Sequence, residues 1–302
     1  MHQSVLLTEV ITLLRPNRDD GTLVDATAGL GGHAEALLER YPRTRLVGID
    51  RDPAAIRHAE QRLGRFGSRV TLVRGRHETL IEIAKQSQVE SISGLLADLG
   101  VSSMQLDDAS RGFSFRHDAP LDMRMGPDSR SAAELVNALD EQELAAILRD
   151  YGEEPQAWRI AQAIVAARPM ETTAQLAEVI RGVKRARRGD IDPATLTFQA
   201  LRIAANEELV GLDRFIDDAV SVLERGARIA VIAFHSLEDR IVKRAFKRLE
   251  GECVCPPGLP VCACGAKRTV KVLTGRPVTA TEDEVKRNPR SRSAKLRVAE
   301  KL

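Results

Sequence analysis

Residues 24–34 read VDATAGLGGHA: a short apolar stretch ending in Asp25, a glycine-rich turn, and then helix-compatible sequence. Glycines at such a turn permit positive φ and let a ligand approach the backbone closely. Working outward, residues 23–25 predict a strand and 32–40 a helix. Residues 46–50 (LVGID) predict a second strand and 53–63 a helix, with Pro53 suited to its first turn. Residues 70–73 and 94–98 (GLLAD) predict a third and fourth strand. Strand–helix–strand alternation of this kind specifies an α/β fold, a parallel sheet with helices on both faces.

The middle of the chain has a different pattern. Residues 111–127 (RGFSFRHDAPLDMRMGP) have loop composition, and helical spacing alone follows at 132–139, 141–151, 158–167 and 173–183. No strand pattern occurs between about 103 and 197. Residues 198–223 then predict one or two helices, 227–234 (ARIAVIAF) a fifth strand, and 269–273 and 295–298 two late strands, the last antiparallel. The expected organisation is a discontinuous core of residues 1–102 and 198–302, interrupted by an all-helical insertion at 103–197.

Composition narrows the class. Of 302 residues, 43% are apolar and 29% charged, which excludes disordered and fibrous chains. Lys plus Arg number 45 against 43 Asp plus Glu, a net charge of +2. Residues 5–14 (VLLTEVITLL) lack the basic flank of a signal peptide, and no apolar stretch reaches the ~20 residues of a membrane span. A cytoplasmic protein with no membrane partner is expected. Aromatics are 3%, too few for recognition dominated by base stacking.

Asp50 follows Gly29 by 21 residues and ends the second strand, where a carboxylate can take ribose hydroxyls. The spacing of Gly29, Gly31 and Ala34 suits a dinucleotide as well as S-adenosylmethionine. Asp25 and Asp98 favour the latter, because a pyrophosphate would meet carboxylates where a methionine ammonium would be attracted. Ligands of open α/β sheets sit at the carboxyl ends of the strands, and Asp25, Asp50, His77, Asp98 and His235 all fall at or just beyond those ends.

Nine segments in order then carry a resemblance over essentially the whole chain. They are residues 2–10 (HQSVLLTEV), 29–33 (GLGGH), 49–53 (IDRDP), 98–107 (DLGVSSMQLD), 111–115 (RGFSF), 120–125 (PLDMRM), 197–203 (TFQALRI), 234–243 (FHSLEDRIVK) and 288–298 (NPRSRSAKLRV). The chain resembles the bacterial 16S ribosomal RNA (cytosine-N4)-methyltransferase family, the small-subunit rRNA methyltransferase H type. The resemblance implies a Rossmann-like class I methyltransferase core with an inserted helical domain for substrate recognition. It also implies S-adenosyl-L-methionine as donor and a decoding-centre (P-site) cytosine of 16S rRNA in the small ribosomal subunit as acceptor. The cofactor positions carried over are Gly31, Gly32, His33, Asp50, His77, Asp98 and Gln105. His77 stands where the family often has Phe, so its contact with adenine would be an imidazole face or edge. A homodimer is left open.

Cytosine N4 is a poor nucleophile, its lone pair delocalised into the ring, so a site must accept hydrogen bonds from its N–H groups. Asp98 is placed to do this as a catalytic residue, or to bind the cofactor alone. Phe113, Phe115 and Phe234 are candidates for the aromatic that sandwiches the base. His235 and Ser236 either satisfy the end of the fifth strand or wall the base pocket. Gln199, Arg202 and Asn206 share one helix face, either solvated or turned toward the site. Arg240, Lys243, Arg244, Lys247 and Arg248 form one helical stripe. A second basic cluster is Arg181, Lys184, Arg185, Arg187 and Arg188, and residues 267–302 hold eleven Lys plus Arg against four Asp plus Glu. Such patches on a near-neutral chain suit a phosphate backbone. Cys253, Cys255, Cys262 and Cys264 are either free thiols or a structural zinc site, and no catalytic metal is expected.

Overall fold

The computed structural model describes residues 4–127, 129–185, 191–253, 255 and 266–302. They divide into two compact units, Met1–Gly100 with Gly211–Leu302, and Val101–Val210. Both ends of the first unit's break are glycines at positive φ, Gly100 (φ 90°) and Gly211 (φ 74°).

The first unit begins with α1 (Leu7–Leu13), β1 (Thr22–Asp25), α2 (Gly32–Arg40), β2 (Arg45–Asp50) and α3 (Pro53–Leu63). It continues with β3 (Val70–Arg74), α4 (Leu80–Gln86) and β4 (Ile92–Asp98). The second unit supplies α5 (Ser103–Asp107), α6 (Ala132–Ala138), α7 (Glu141–Gly152), α8 (Ala157–Ala166), α9 (Thr173–Val183) and α10 (Ala194–Asn206). The first unit resumes with α11 (Leu212–Val222), β5 (Leu223–Ala233), α12 (Ser236–Leu249), β6 (Val270–Val272), β7 (Val278–Thr279), α13 (Glu282–Arg287) and β8 (Lys295–Lys301).

The strands form one sheet in the order β3-β2-β1-β4-β5-β8-β6, with β7 also pairing β8. The first five are mutually parallel and β8 runs antiparallel to β5. Strand order reverses direction beside β1, which is where open α/β sheets make a binding crevice. The period of two divides each strand between two cores. Val24, Val47, Leu95 and Val231 pack with Leu80, Phe215, Ile216 and Phe246. Leu23, Leu46, Leu96 and Ile232 pack with Leu6, Val10, Leu37, Leu38 and Leu63 on the other face. With both faces covered, the central strands are almost wholly apolar, and polar side chains fall at their ends.

Caps fix where helices begin. Asp52 accepts the Ala54 N–H at 2.9 Å, with Pro53 in the first turn of α3. In the second unit, Ser131 with Glu134, Asp140 with Glu143, and Thr172 with Gln175 form reciprocal capping boxes for α6, α7 and α9. That unit has its own core, including Leu144, Leu148, Ile160, Ile164, Leu176 and Ile180. Among its described residues no strand occurs beyond an isolated bridge between Pro120 and Thr172.

The expected end of the insertion at 197 needs correcting to 210. Residues 198–206 continue α10, whose Phe198, Leu201 and Ala205 are buried in the second unit's core rather than against the sheet. The helical pattern alone could not tell which core this apolar face joins. Residues 5–14, considered above only as a failed signal peptide, supply α1, with Val10 buried against the sheet.

Candidate active site at the carboxyl rim of the sheet

The glycine turn closes over the ends of β1 and β2. Ala28 N–H donates to Ile49 O at 2.7 Å and Gly31 N–H to Ala28 O at 2.8 Å, with Gly29 and Gly31 at φ 51° and 76°. A Cβ on Gly31 would sit 3.2 Å from Leu63 of α3, and one on Gly32 would sit 2.2 Å from Ser4 Oγ. Those two glycines serve close packing. Gly29 is the open one, with nothing nearer than 3.8 Å to such a Cβ.

Asp50 ties this turn to β2. Its Oδ2 accepts the Gly29 N–H at 2.8 Å and its Oδ1 the Asp52 N–H at 2.8 Å. Each oxygen keeps a second lone pair for a further donor. Burial pushes this carboxyl above its ordinary range, while those two N–H bonds pull it back down.

Asp25 is buried at the end of β1, and its Oδ1 accepts the Thr27 N–H at 3.2 Å. Burial pushes it up to about 7, the Thr27 bond opposing and the Asp50 charge adding. Thr27 links the neighbouring strand, since its Oγ1 accepts the Asp98 N–H at 2.6 Å.

Asp98 ends β4. A quarter of its side-chain surface is exposed, yet its Oδ1 is enclosed without a hydrogen-bond partner. Burial holds its carboxyl well above the ordinary range, and the charges of Asp25 and Glu238 raise it further. Its Oδ2 lies 3.6 Å from His33 Nδ1, while His33 Nε2 lies 2.9 Å from Val5 O. The carbonyl can only accept, so Nε2 carries the proton and Nδ1 faces the carboxyl.

His77 follows β3. It packs edge-on against Phe215 at 4.8 Å between centroids, and its Nε2 is enclosed without a partner. Burial lowers its pKa, so the ring is neutral at pH 7. His235 caps α12 rather than standing free. Its Nδ1 accepts the Glu238 N–H at 3.4 Å, while Glu238 Oε2 accepts the Phe234 N–H at 2.8 Å and the His235 N–H at 3.3 Å. Glu238 was not singled out from the sequence, although a polar residue three positions before an acid at a helix start signals such a cap.

The first unit thus brings together Gly31, Gly32, His33, Asp50 and Asp98 around the turn, with His77 at the end of the adjoining strand. Gln105 belongs to the second unit. It is buried there, and its side-chain oxygen accepts the Ser102 N–H at 3.0 Å in the capping box of α5. Several other residues prove structural. Asn206 bonds Met125 N and Met123 O, Gln199 bonds Tyr151 O, and Arg202 pairs with Glu208. Phe115 stacks edge-on with Phe198 at 4.8 Å within the second unit's core. Phe234 stays at the sheet end, beside Gly100.

On α12, Lys243 and Arg244 are exposed, whereas Lys247 pairs with Glu252 at 3.0 Å and Arg248 with Asp217 at 2.7 Å. Arg181 is matched to Asp192 and Lys184 to buried Glu154. Arg187, Arg188, Cys262 and Cys264 lie outside the described residues, and so does a test of a four-cysteine zinc site. Among the described residues no helix is long and apolar enough to cross a membrane.

The model of the MraW methylase family matches residues 1–302. A ribosomal RNA small subunit methyltransferase H from Geotalea uraniireducens (strain Rf4) is 52% identical over 308 residues, covering 100% of this chain and 98% of the relative. Proteins of the same name from Heliobacterium modesticaldum and Symbiobacterium thermophilum are 49% and 51% identical, covering 100% of this chain and 98% and 96% of theirs. Matched from end to end by that model and by relatives at about half identity, the chain belongs to the MraW methylase family.

Proposed function

We propose that this protein transfers a methyl group from S-adenosyl-L-methionine to N4 of a cytosine in 16S rRNA, at the decoding centre (P site) of the small ribosomal subunit. The observation that carries the chemistry is the convergence of Asp25, Asp50 and Asp98 at the rim beside the Gly29–Gly31 turn. The names of the full-length relatives support small-subunit rRNA as substrate. Cytosine N4 and the P site are the finer part of the reading and come from the motif resemblance. The reaction belongs in the cytoplasm, where small subunits are found, and accommodates a monomer or a homodimer alike.

The rim suits the donor in particular ways. Asp25 meets a cationic amine, since a buried carboxyl raised to about 7 gains most from a neighbouring positive charge. Asp50 offers its remaining lone pairs to ribose hydroxyls. Open Gly29, with Gly31, Gly32 and His33 behind it, shapes the turn around the nucleoside. The His77 ring, held by Phe215, borders the adenine. Gln105 completes the carried-over set from the helical unit, to which we assign substrate recognition.

S-adenosylmethionine supplies a methyl group made electrophilic by its sulfonium. Asp98 then has two tasks, contacting the donor and accepting a hydrogen bond from the cytosine amine through its enclosed Oδ1. Accepting that bond draws the nitrogen lone pair out of conjugation with the ring. Holding amine and methyl in line supplies much of the remaining acceleration. Exposed Lys243 and Arg244 offer phosphate contacts for folded RNA.

Tritiated methyl transfer to small subunits from cells lacking this protein, followed by nucleoside analysis, tests the reading. Label in N4-methylcytidine is expected. Label confined to DNA, protein or another nucleoside refutes it, and so does RNA binding without label.

A further inference from the structure

At the sheet edge opposite the carboxyl rim, the first unit contains a cavity of about 390 Å³. It lies among the loop after α1, the last turn of α2, the first residues of β5 and the end of β8. Its lining includes Arg15, Asp19, Arg40, Tyr41, Arg228 and Glu300. Along β5, residues 228–233 separate it from the rim by roughly 17 Å at a strand rise of ~3.3 Å per residue. It is therefore no part of the methyl-transfer site.

Its charges do not balance locally. Asp19 is met by Arg43 at 3.1 Å, outside the lining. Glu300 is met by Arg228 at 3.0 Å, and Arg228 also donates to Leu13 O at 2.9 Å. Both carboxylates are thus already partnered. Arg15 and Arg40 are exposed and form no ion pair among the described residues; Arg40 only overlies the Tyr41 ring at 5.4 Å. Tyr41 donates its hydroxyl proton to Ile11 O at 2.9 Å, and burial raises its pKa, so it stays a neutral, fixed wall. Two unmatched guanidinium groups at the mouth of a concave, polar pocket form a site for a tetrahedral oxyanion. Their planar forks match phosphate oxygens, and their charge stays on at every physiological pH.

We propose that this cavity binds a phosphate group of the RNA substrate, giving the enzyme a second anchor on the side of the sheet away from the cofactor. The identity of the anion's carrier rests on the rRNA methyltransferase reading; the anion site itself does not.

The test is the double variant Arg15→Gln/Arg40→Gln in the full-length protein. Both side chains are exposed and unpaired, so the fold is retained, which thermal melting verifies. Small-subunit binding is measured across a salt series, and inorganic pyrophosphate and S-adenosylhomocysteine are titrated calorimetrically. The expected result is weaker subunit binding with a log K against log salt slope shallower by roughly 1–2, from two phosphate contacts at ~0.7–0.9 each, and unchanged S-adenosylhomocysteine affinity. Unchanged subunit binding overturns the RNA assignment. If pyrophosphate also binds wild type and variant equally, the anion site falls with it. Pyrophosphate binding lost in the variant, with subunit binding intact, instead assigns the site to a free phosphate compound. Should wild-type protein methylate no RNA at all, the functional reading fails on that assay, while the salt comparison still decides the anchor.

Discussion

Replacing Asp25 by Asn should stabilise the ligand-free protein in proportion to pH and weaken its hold on the cofactor. The unfolded chain releases this carboxyl proton near 3.8, whereas the folded protein keeps it to about 7. Between those values the folded state binds a proton that the unfolded state has lost. Stability contributed at this site therefore falls as pH rises from about 4 to 7 and is level above. About three pKa units at ~1.4 kcal/mol each put the full penalty on the order of 4 kcal/mol, of which ~1.6 kcal/mol is already present at pH 5. Asparagine keeps the shape and an acceptor for the Thr27 N–H but carries no charge. Urea unfolding followed by circular dichroism at pH 5 and pH 8 should show the variant's advantage growing by roughly 2–3 kcal/mol between them. An advantage that does not grow would refute a raised carboxyl at this position. In the same variant, S-adenosylhomocysteine binding at pH 8 should weaken, because the ligand's ammonium loses its counter-charge. Wild-type affinity should climb toward pH 7 by up to about tenfold per unit and then level off, as ionisation of Asp25 completes.

Asp50→Ala should cost cofactor binding about 1–3 kcal/mol, roughly 5- to 150-fold in Kd, through lost charge-assisted hydrogen bonds; calorimetry showing unchanged affinity would remove Asp50 from the site. Gly112→Ala should destabilise the helical unit by about 1–3 kcal/mol or more, because its Cβ would fall 2.2 Å from Pro120 O at a φ of 69°. A thermal melt indistinguishable from wild type would contradict that packing. Lys243→Glu/Arg244→Glu should raise KM for small subunits and flatten its salt dependence while leaving S-adenosylhomocysteine affinity unaltered. Equal KM at low and high salt for both proteins would dissociate α12 from RNA.

Much of the architecture is legible in the sequence because local and global signals agree there. The helices at 32–40 and 53–63 are bounded by a glycine turn and by an Asp52 cap followed by proline, and those are the bounds observed. The strands are buried on both faces, so they read as short apolar runs ended by acids. Helices whose apolar faces match more than one core are harder. α10 shows clear spacing, but nothing local says that Phe198 and Leu201 meet α7 and not the sheet. α1 was overlooked because seven residues with Thr8 and Glu9 inside make a weak pattern, and its stability comes from the core behind Val10.

The candidate site divides along the same line. Positions are readable, since strand-end acids stand at the ends of strands; states are not, because they depend on what surrounds each carboxyl. Asp25, Asp50 and Asp98 look alike in sequence, yet the two N–H bonds to Asp50 oppose its burial, whereas Asp98 Oδ1 meets no donor and feels two neighbouring acids. Glu238, which contributes to that field, is held in place by the Phe234 and His235 N–H groups and comes from a cap 140 residues downstream of Asp98. No residue pattern encodes such a sum of distant charges. The sum nevertheless has a direction. Three carboxyls raised by burial and by one another destabilise the ligand-free rim, and a ligand bearing positive charge relieves all three together. A neutral adenosine derivative relieves none, so the rim selects for the cation as well as for the nucleoside.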